Sequence, residues 1–349
     1  MRVSMKKFFP LLCAMVVVGA LAWIVASSLH DDGSKESVPV PMPARSDVSS
    51  PSKTTPAAAT GTFTAPIGAG DHAGTEGPWA RRILGATSPD GLVWTRTNRV
   101  ISDQADVPSL AMDASGTLFM YYYGWTVGTK QNAPAVATST DNGATWTFYY
   151  LGFTGFPNRG DVSDPDVLFE NGTFHLYGTT RAAGHASVVY GESTDGINFT
   201  YKSVAYKPEG ADAGVASVYQ VGDAWRLISL ASLGVTGSGT EAGQHWVTES
   251  SDGKTFSLQE KVLYKIGGVP YFNGNVIPVD GGYRMYLFSD VAQEIRSWTS
   301  TDGDTWTLEP GVRLALDITT GEESGYVGDP DIIQLPDGTF FMAYATLIP

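Results

Sequence analysis

Ser139-Thr140-Asp141-Asn142-Gly143-Ala144-Thr145-Trp146 is one of five copies of a short motif on which the reading of this chain turns. The others are Ser88-Pro89-Asp90-Gly91-Leu92-Val93-Trp94, Ser193-Thr194-Asp195-Gly196-Ile197-Asn198-Phe199, Ser250-Ser251-Asp252-Gly253-Lys254-Thr255-Phe256 and Ser300-Thr301-Asp302-Gly303-Asp304-Thr305-Trp306. Their aromatic ends lie 52, 53, 57 and 50 residues apart. That is the spacing of propeller blades and far too long for a heptad or a leucine-rich repeat. The Gly supplies the positive dihedral of a tight hairpin, the Ser and Asp side chains can bond turn amides, and the aromatic pins an outer strand to its neighbour.

Between successive copies lies an apolar strand, a Gly turn and an aromatic strand, as in Pro165-Asp166-Val167 followed by Phe174-His175-Leu176-Tyr177, or Pro330-Asp331-Ile332 followed by Phe340-Phe341-Met342-Ala343. One further strand, such as Val188-Val189-Tyr190, precedes the next Asp-Gly turn, so each blade has four strands. The chain opens with a lone outer pair, about 82–88 and 93–96, and ends with a lone inner hairpin at 329–345. The two halves complete one another and leave no open edge. The expected fold is therefore all-β: a five-bladed β-propeller over 80–349, its last blade closed by the N-terminal strands.

Composition agrees. Among 349 residues there are 40 Gly, 16 Tyr, 15 Phe and 9 Trp, with 42% hydrophobic residues, which excludes overall disorder and favours strands and tight turns. Residues 1–60 carry six basic and four acidic side chains, leaving 16 basic against 32 acidic in the body, a net −16. Such a field repels nucleic acid and polyanionic glycans and suits a neutral partner.

Residues 1–30 read as an export signal. Arg2, Lys6 and Lys7 precede the apolar run 8–26, and Ala26-Ser27-Ser28 offers a cleavage site; at 19 residues the run is also long enough to stay as a signal anchor. Residues 31–79, rich in Ser, Thr, Pro and Ala, read as a solvated tether. The expected location is outside the cytoplasmic membrane, secreted, periplasmic or anchored, with membrane contact only through the N-terminal segment and a monomeric body. The single Cys, Cys13, falls inside the apolar run, so the body has neither disulfide nor thiol nucleophile.

In a four-stranded blade the Asp-Gly turns occupy one face. The loops entering the inner strands, and those joining second and third strands, meet on the other. Asp106, Asp161, Asp164, Asp166, Glu209, Asp212, Glu322, Glu323, Asp329 and Asp331 precede or begin inner strands; blade four offers Asn273 and Asn275 instead. Trp125, Arg181, His185 and Asp290 lie in the second-to-third loops, and Arg159 on the approach to blade two. Carboxyl groups around an aromatic-rimmed channel suit glycosidic cleavage, where one must protonate the leaving oxygen and another activate water or attack the sugar. The competing reading is architectural: Asp at a strand entry often caps a turn, and Asp164-Pro165-Asp166 is matched by Asp329-Pro330-Asp331.

The turn motifs, Ser163-Asp164-Pro165-Asp166-Val167-Leu168 with Asn171-Gly172-Thr173-Phe174-His175-Leu176-Tyr177, and Gly328-Asp329-Pro330-Asp331-Ile332 resemble the five-bladed propeller glycosidases. These are the arabinanase, arabinofuranosidase and β-xylosidase group of glycoside hydrolase family 43, related to the invertases and levansucrases. The resemblance covers about residue 80 to the C-terminus and implies cleavage of arabinofuranosyl, xylosyl or fructosyl linkages. It implies Asp106 as general base or nucleophile, Asp166 as the group that sets pKa and orientation, and Glu209 as general acid, with Asp164 and Asp212 the alternatives. Val107 separates Asp106 from Pro108 where the family has Asp before Pro, and Gly214 stands where it has Glu.

Trp125, Arg159, His185, Asp290, Asp329 and Asp331 are the expected substrate-binding residues. No cofactor is required; the histidines show no zinc spacing, and an all-oxygen acidic channel could take calcium. The partner is a neutral oligo- or polysaccharide. Two other readings stand beside the hydrolase: a tethered carbohydrate-binding or scaffold propeller, and a sialidase-like hydrolase, which the turn motifs also resemble. The latter needs an arginine triad, for which only Arg159, Arg181 and Arg284 are available.

Overall fold

Every Asp-Gly turn closes a hairpin between the third and fourth strands of a blade, and its side chains do what their chemistry allows. In the copy at 193–199, Ser193 donates to Asp195 Oδ1 (2.8 Å), which accepts the amides of Ile197 (2.8 Å) and Asn198 (2.7 Å), while Gly196 N–H donates to Ser193 Oγ (3.0 Å). These donors hold the Asp195 carboxyl down at about 2 against a smaller burial penalty once they are summed. Gly196 has φ +71°, where a side chain would also strike Phe119, Tyr121 and Phe174.

The computed structural model describes residues 61–67, 78–126, 131–157, 162–182, 185–231 and 243–349. Blade one runs outward from Ala105–Met112 through Leu118–Thr126 and Gln131–Ser139 to Thr147–Tyr150. Blade two comprises Ser163–Glu170, Thr173–Ala182, His185–Ser193 and Asn198–Tyr206, with Gly152–Thr154 added in parallel at its edge. Blade three comprises Gly214–Val221, Ala224–Leu230, Gln244–Ser250 and Ser257–Leu263. In blade four Phe272–Val279, Gly282–Ser289 and Glu294–Ser300 are followed by two short strands, Thr307–Leu308 and Leu314–Ala315, that share the third strand on either side of Pro310-Gly311.

Blade five joins the chain ends. Ser324–Gln334 and Phe340–Leu347 are followed in the sheet by Arg81–Ser88 and Thr95–Asp103, with Arg81 opposite Leu347 and Ser88 opposite Phe340. The inner strands contact one another in cyclic order, blade five against blade one included. The fold is a closed five-bladed propeller, as the repeat order predicts.

The apolar residues lie between blades. One cluster packs Tyr121, Phe174, Leu176 and Phe199 between blades one and two, another packs Tyr286, Phe288, Ile332 and Met342 between blades four and five. Tyrosine hydroxyls lock four of the five turns to the preceding blade: Tyr121 donates to Gly196 O (2.9 Å), Tyr177 to Gly253 O (2.7 Å), Tyr219 to Gly303 O (2.9 Å) and Tyr286 to Gly91 O (2.8 Å). At the closing seam Phe341 lies under Gly143 without such a bond. Asp195→Ala strips one turn of these bonds and is expected to lower stability by roughly 1–3 kcal/mol in urea unfolding.

Residues 1–60 and 68–77, with the expected signal and most of the tether, lie outside the described residues. Among the described residues no helix is long and apolar enough to cross a membrane. Thr62–Phe63, inside the expected tether, pairs with Tyr149 and Phe148 at the edge of blade one, and the Phe63 ring lies 4.7 Å from that of Tyr150. An aromatic residue beside an open edge is enough to dock the segment there.

Candidate active site in the central channel

Each inner strand is interrupted at the same repeat position. The pairing shifts between Asp106 and Ser109, between Ser163 and Asp166, between Gly214 and Ser217, between Asn273 and Asn275, and between Gly328 and Asp331. In four blades the bulge places a residue in the left-handed region: Val107 (φ 48°), Asp164 (φ 48°), Val215 (φ 49°) and Asp329 (φ 47°). Such conformations cost about 1–3 kcal/mol each and are worst for β-branched valine. The bulges re-aim the entry residues into the channel, and Val107, Asp164, Val215 and Asp329 line its mouth with Pro108, Pro165 and Pro330.

Two residues further on, side chains stitch neighbouring inner strands together. Ser109 accepts Val167 N–H (2.9 Å), Asp166 accepts Val218 N–H (2.8 Å), and Ser217 accepts Val276 N–H (3.1 Å). Asn275 donates to Ile332 O (2.9 Å), and Asp331 accepts Leu110 N–H (3.1 Å), completing the circle. Asp166 and Asp331 are thus belt residues as well as channel-lining ones, which gives the architectural reading of the paired Asp-Pro-Asp segments a structural basis. Burial pushes the Asp166 carboxyl up to about 7 against the Val218 bond. Asp331 lies well above the usual range, through burial first and Asp166 second.

Asp166 binds a proton in the folded state that the unfolded chain releases between about pH 4 and 7, and Asp331 is shifted in the same direction. Their contribution to stability is therefore complete below the unfolded value and lost as pH rises through the folded one. Asp166→Asn keeps an acceptor for Val218 and removes the charge. It is expected to melt near the wild-type temperature at pH 4 and above it at pH 8, where the gain in unfolding free energy approaches roughly 4 kcal/mol. Parallel melting curves at both values would refute this.

The second group sits at the seam of the ring. Arg81 begins the closing strand, and its Nη1 lies 3.0 Å from Asp106 Oδ2, 2.6 Å from the Tyr326 hydroxyl and 3.4 Å from Asp329 Oδ2. The Tyr326 hydroxyl is 3.2 Å from both Asp106 and Asp329, and the guanidinium stacks on the Tyr326 ring at 4.5 Å. Burial alone would push Arg81 down, but Asp106, Tyr326, Asp329 and Asp290 together raise it. The Asp329 carboxyl is held well above its usual range by burial and by Asp106 beside it, and Asp290 is raised by burial with Asp106 adding to it. Asp164, which accepts from Ser163 (2.9 Å) and Thr179, is pushed up to about 6 by burial, with Asp106 contributing repulsion.

Blade three differs from the expectation. Glu209 is exposed in the turn ahead of the blade and makes no hydrogen bond or ion pair among the described residues, because its Gly210 neighbour turns the chain away before the strand begins. Among the described residues, those that blade three presents to the channel mouth are Val215 and Ala216. Asp212 is buried at 1% exposure, accepts Ala186 N–H (2.8 Å), and lies 3.5 Å from His185 Nδ1 and 3.6 Å from Arg181 Nη1.

The structure therefore brings Asp106, Asp329 and Asp290 together around Arg81 with Asp164 in electrostatic reach, places Asp166 and Asp331 in the belt below, and pairs His185 with Asp212. Glu209 is not among them. Trp125 lies in strand Leu118–Thr126 opposite Asn132, and Arg159 and Asp161 lie outside the described residues. Arg284 is engaged with both oxygens of Glu309 (2.8 and 3.2 Å), and Arg181 with Asp212, so no arginine triad forms among the described residues. His175 bonds Tyr190 (2.7 Å) within blade two. Arg81 and Tyr326 were not singled out from sequence; both lie at the seam, where closure brings residues about 245 positions apart into contact. Among the described residues no three His, Cys, Asp or Glu side chains are grouped to hold a metal ion. Asp166 and Asp331 each give one oxygen to a backbone amide.

No protein-family model and no curated protein matches the sequence. Solved structures do match in fold. A thermostable family-43 glycoside hydrolase aligns with a TM-score of 0.56 at 16% identity, over 70% of this chain and 88% of that one. The β-1,2-mannobiose phosphorylase of Listeria innocua aligns at 0.53 and 11% identity, over 75% of this chain and 96% of that one. An endo-arabinase from Bacteroides thetaiotaomicron aligns at 0.51 and 17% identity, over 70% and 94%.

Proposed function

We propose that the chain is a glycoside hydrolase acting on neutral oligo- or polysaccharides at the channel mouth, with arabinofuranosyl, xylosyl or fructosyl linkages the first to test. The observation that carries the reading is the Arg81 cluster, in which Asp106 and Asp329 share one guanidinium and one phenol while Asp164 stands beside them at about 6. Environments that push neighbouring carboxyl groups apart in pKa are what acid–base cleavage of an acetal requires. Asp106 is assigned as the base that takes a proton from the attacking water. Asp164, bonded by the Ser163 and Thr179 hydroxyls, is assigned as the group that orients Asp106 and sets its field. Asp290 and Asp329 border the sugar.

The net −16 body favours an uncharged substrate. We place the body outside the cytoplasmic membrane, delivered by residues 1–30 and acting as a monomer without an obligatory cofactor. Fractionation of cells expressing the full chain tests the location.

A screen of aryl glycosides and oligosaccharides tests the activity. Cleavage of at least one furanoside or xyloside is expected, with anomeric inversion by proton NMR; retention would make Asp106 the nucleophile instead. Glu209→Gln is expected to leave kcat/KM within about twofold of wild type, as exposed sites away from the chemistry do. Among the described residues blade three brings no carboxylate to the mouth, which favours one second reading, a carbohydrate-binding propeller. Measurable sugar binding without cleavage of any substrate would decide for it.

A further inference from the structure

We propose that Asp329 is the group that protonates the leaving oxygen, a catalytic residue that blade five supplies to the channel mouth beside Asp106. The proposal rests on the hydrolase reading and deepens it.

Position comes first. The inner strands of blades five and two flank that of blade one, and each meets it directly. Both carry Asp-Pro-Asp at the bulge, and the first Asp of each, Asp329 and Asp164, takes the left-handed position (φ 47° and 48°) and lines the mouth. The second, Asp331 or Asp166, bonds a backbone amide of a neighbouring blade instead. Asp106 therefore stands between two acids that the same backbone device turns into the channel. Asp329 is the one that shares partners with Asp106. Arg81 Nη1 lies 3.0 Å from Asp106 Oδ2 and 3.4 Å from Asp329 Oδ2, and the Tyr326 hydroxyl is 3.2 Å from each carboxyl.

The proton comes second. One guanidinium charge serves two carboxyl groups whose side chains are only 11% and 9% exposed, with Asp290 also in its field. Tyr326 Oη accepts from Arg81 Nη1 (2.6 Å) and has a single proton to give. It gives that proton to one carboxylate, and its contact with the other is a hydrogen bond only if that carboxyl is itself the donor. Arg81 lies nearer Asp106, so Asp106 is the acceptor and Asp329 carries the proton. Burial and the Asp106 charge beside it hold the Asp329 carboxyl well above its usual range, in agreement. Asp164 differs, because the Ser163 and Thr179 hydroxyls both donate to it and favour its charged form, which suits an orienting role.

The step balances. When the sugar binds, the Asp329 O–H turns from the phenol to the glycosidic oxygen. It passes its proton there as the bond from that oxygen to the anomeric carbon breaks, and the leaving sugar departs as an alcohol. Water adds to the anomeric carbon and gives its proton to Asp106. The Tyr326 hydroxyl then accepts that proton from Asp106 and gives its own to Asp329, which restores both groups.

The test compares kcat/KM for wild type, Asp329→Asn and Asp329→Gly on two substrates of the sugar that the screen identifies. One is a dinitrophenyl glycoside, whose leaving group needs no proton, and the other an unactivated alkyl glycoside. Asp329→Asn keeps an oxygen for Arg81 and Tyr326 but has no acidic proton. It is expected to lose roughly 10²–10⁴-fold on the alkyl glycoside and less than about tenfold on the dinitrophenyl one. Asp329→Gly should show the same contrast. Glycine adopts the left-handed conformation of this position without strain, so that variant carries the test if Asp329→Asn does not fold. Equal losses on both substrates, or none on either, would overturn the proposal while leaving the hydrolase reading in place. A wild-type chain that cleaves no glycoside overturns that reading itself.

Discussion

Arg81→Met is expected to lower the unfolding free energy by about 3–5 kcal/mol at pH 8, the range for removing one partner of a buried charge network. The guanidinium is 15% exposed in its side chain and is shared by Asp106, Tyr326 and Asp329, with Asp290 also in its field. Methionine fills much of the volume but leaves those carboxyl groups facing one another in a poorly solvated pocket. The deficit should shrink as pH falls. Asp329 and Asp290 are raised by burial and by Asp106 even with Arg81 present. Without the cation they rise further, so the folded variant takes up protons at a pH where its unfolded chain has lost them, and is relatively stabilised towards acid. Urea unfolding of both proteins at pH 5 and pH 8 measures this. A deficit under about 1 kcal/mol at both values, the range of an exposed ion pair, would mean that Arg81 does not organise the cluster.

The largest effect on activity is expected from Asp106→Asn, a fall in kcat/KM of at least roughly 10²–10⁴-fold, the range for losing a general base. Asparagine retains an oxygen that can accept the Arg81 and Tyr326 donors, so the variant should fold and bind substrate near wild-type levels. The loss should fall on kcat, because the missing function is exercised only as the bond breaks. Asp166→Asn provides the contrast. That residue accepts a backbone amide from blade three, so its replacement should change the pH dependence of stability and spare most of the activity. Unchanged turnover in Asp106→Asn would remove the base from the mechanism proposed above.

The five turn motifs made the blade count legible because each is local. A Ser, an Asp and a Gly within four or five positions set their own hydrogen bonds, and the bond from the Gly amide to the Ser hydroxyl recurs in every copy. The entry carboxyls were legible in the same way, since the bulge and the residues that follow it repeat with the blade. Their separate duties were not. Asp164 and Asp166 are two residues apart, yet one lines the mouth beside Asp106 and the other bonds a neighbouring blade, because the bulge between them turns the strand.

Glu209 and Asp212 show the same division. Both stand ahead of the third inner strand and look interchangeable in sequence. The turn at Gly210 leaves the first in solvent and carries the second beneath His185. Arg81 and Tyr326 had no local signature at all, since their partners arrive only when the ring closes.

The amino-acid sequence by itself determined the all-β class, the number of blades, the closure of the last blade by the first strands and the acidic character of one face. Those follow from short-range turn chemistry repeated five times and from the order of its copies. Tertiary structure alone decided which acids share a cation and which are tied into the belt. Burial and the meeting of distant strands set those environments, and neither is a property of any one segment.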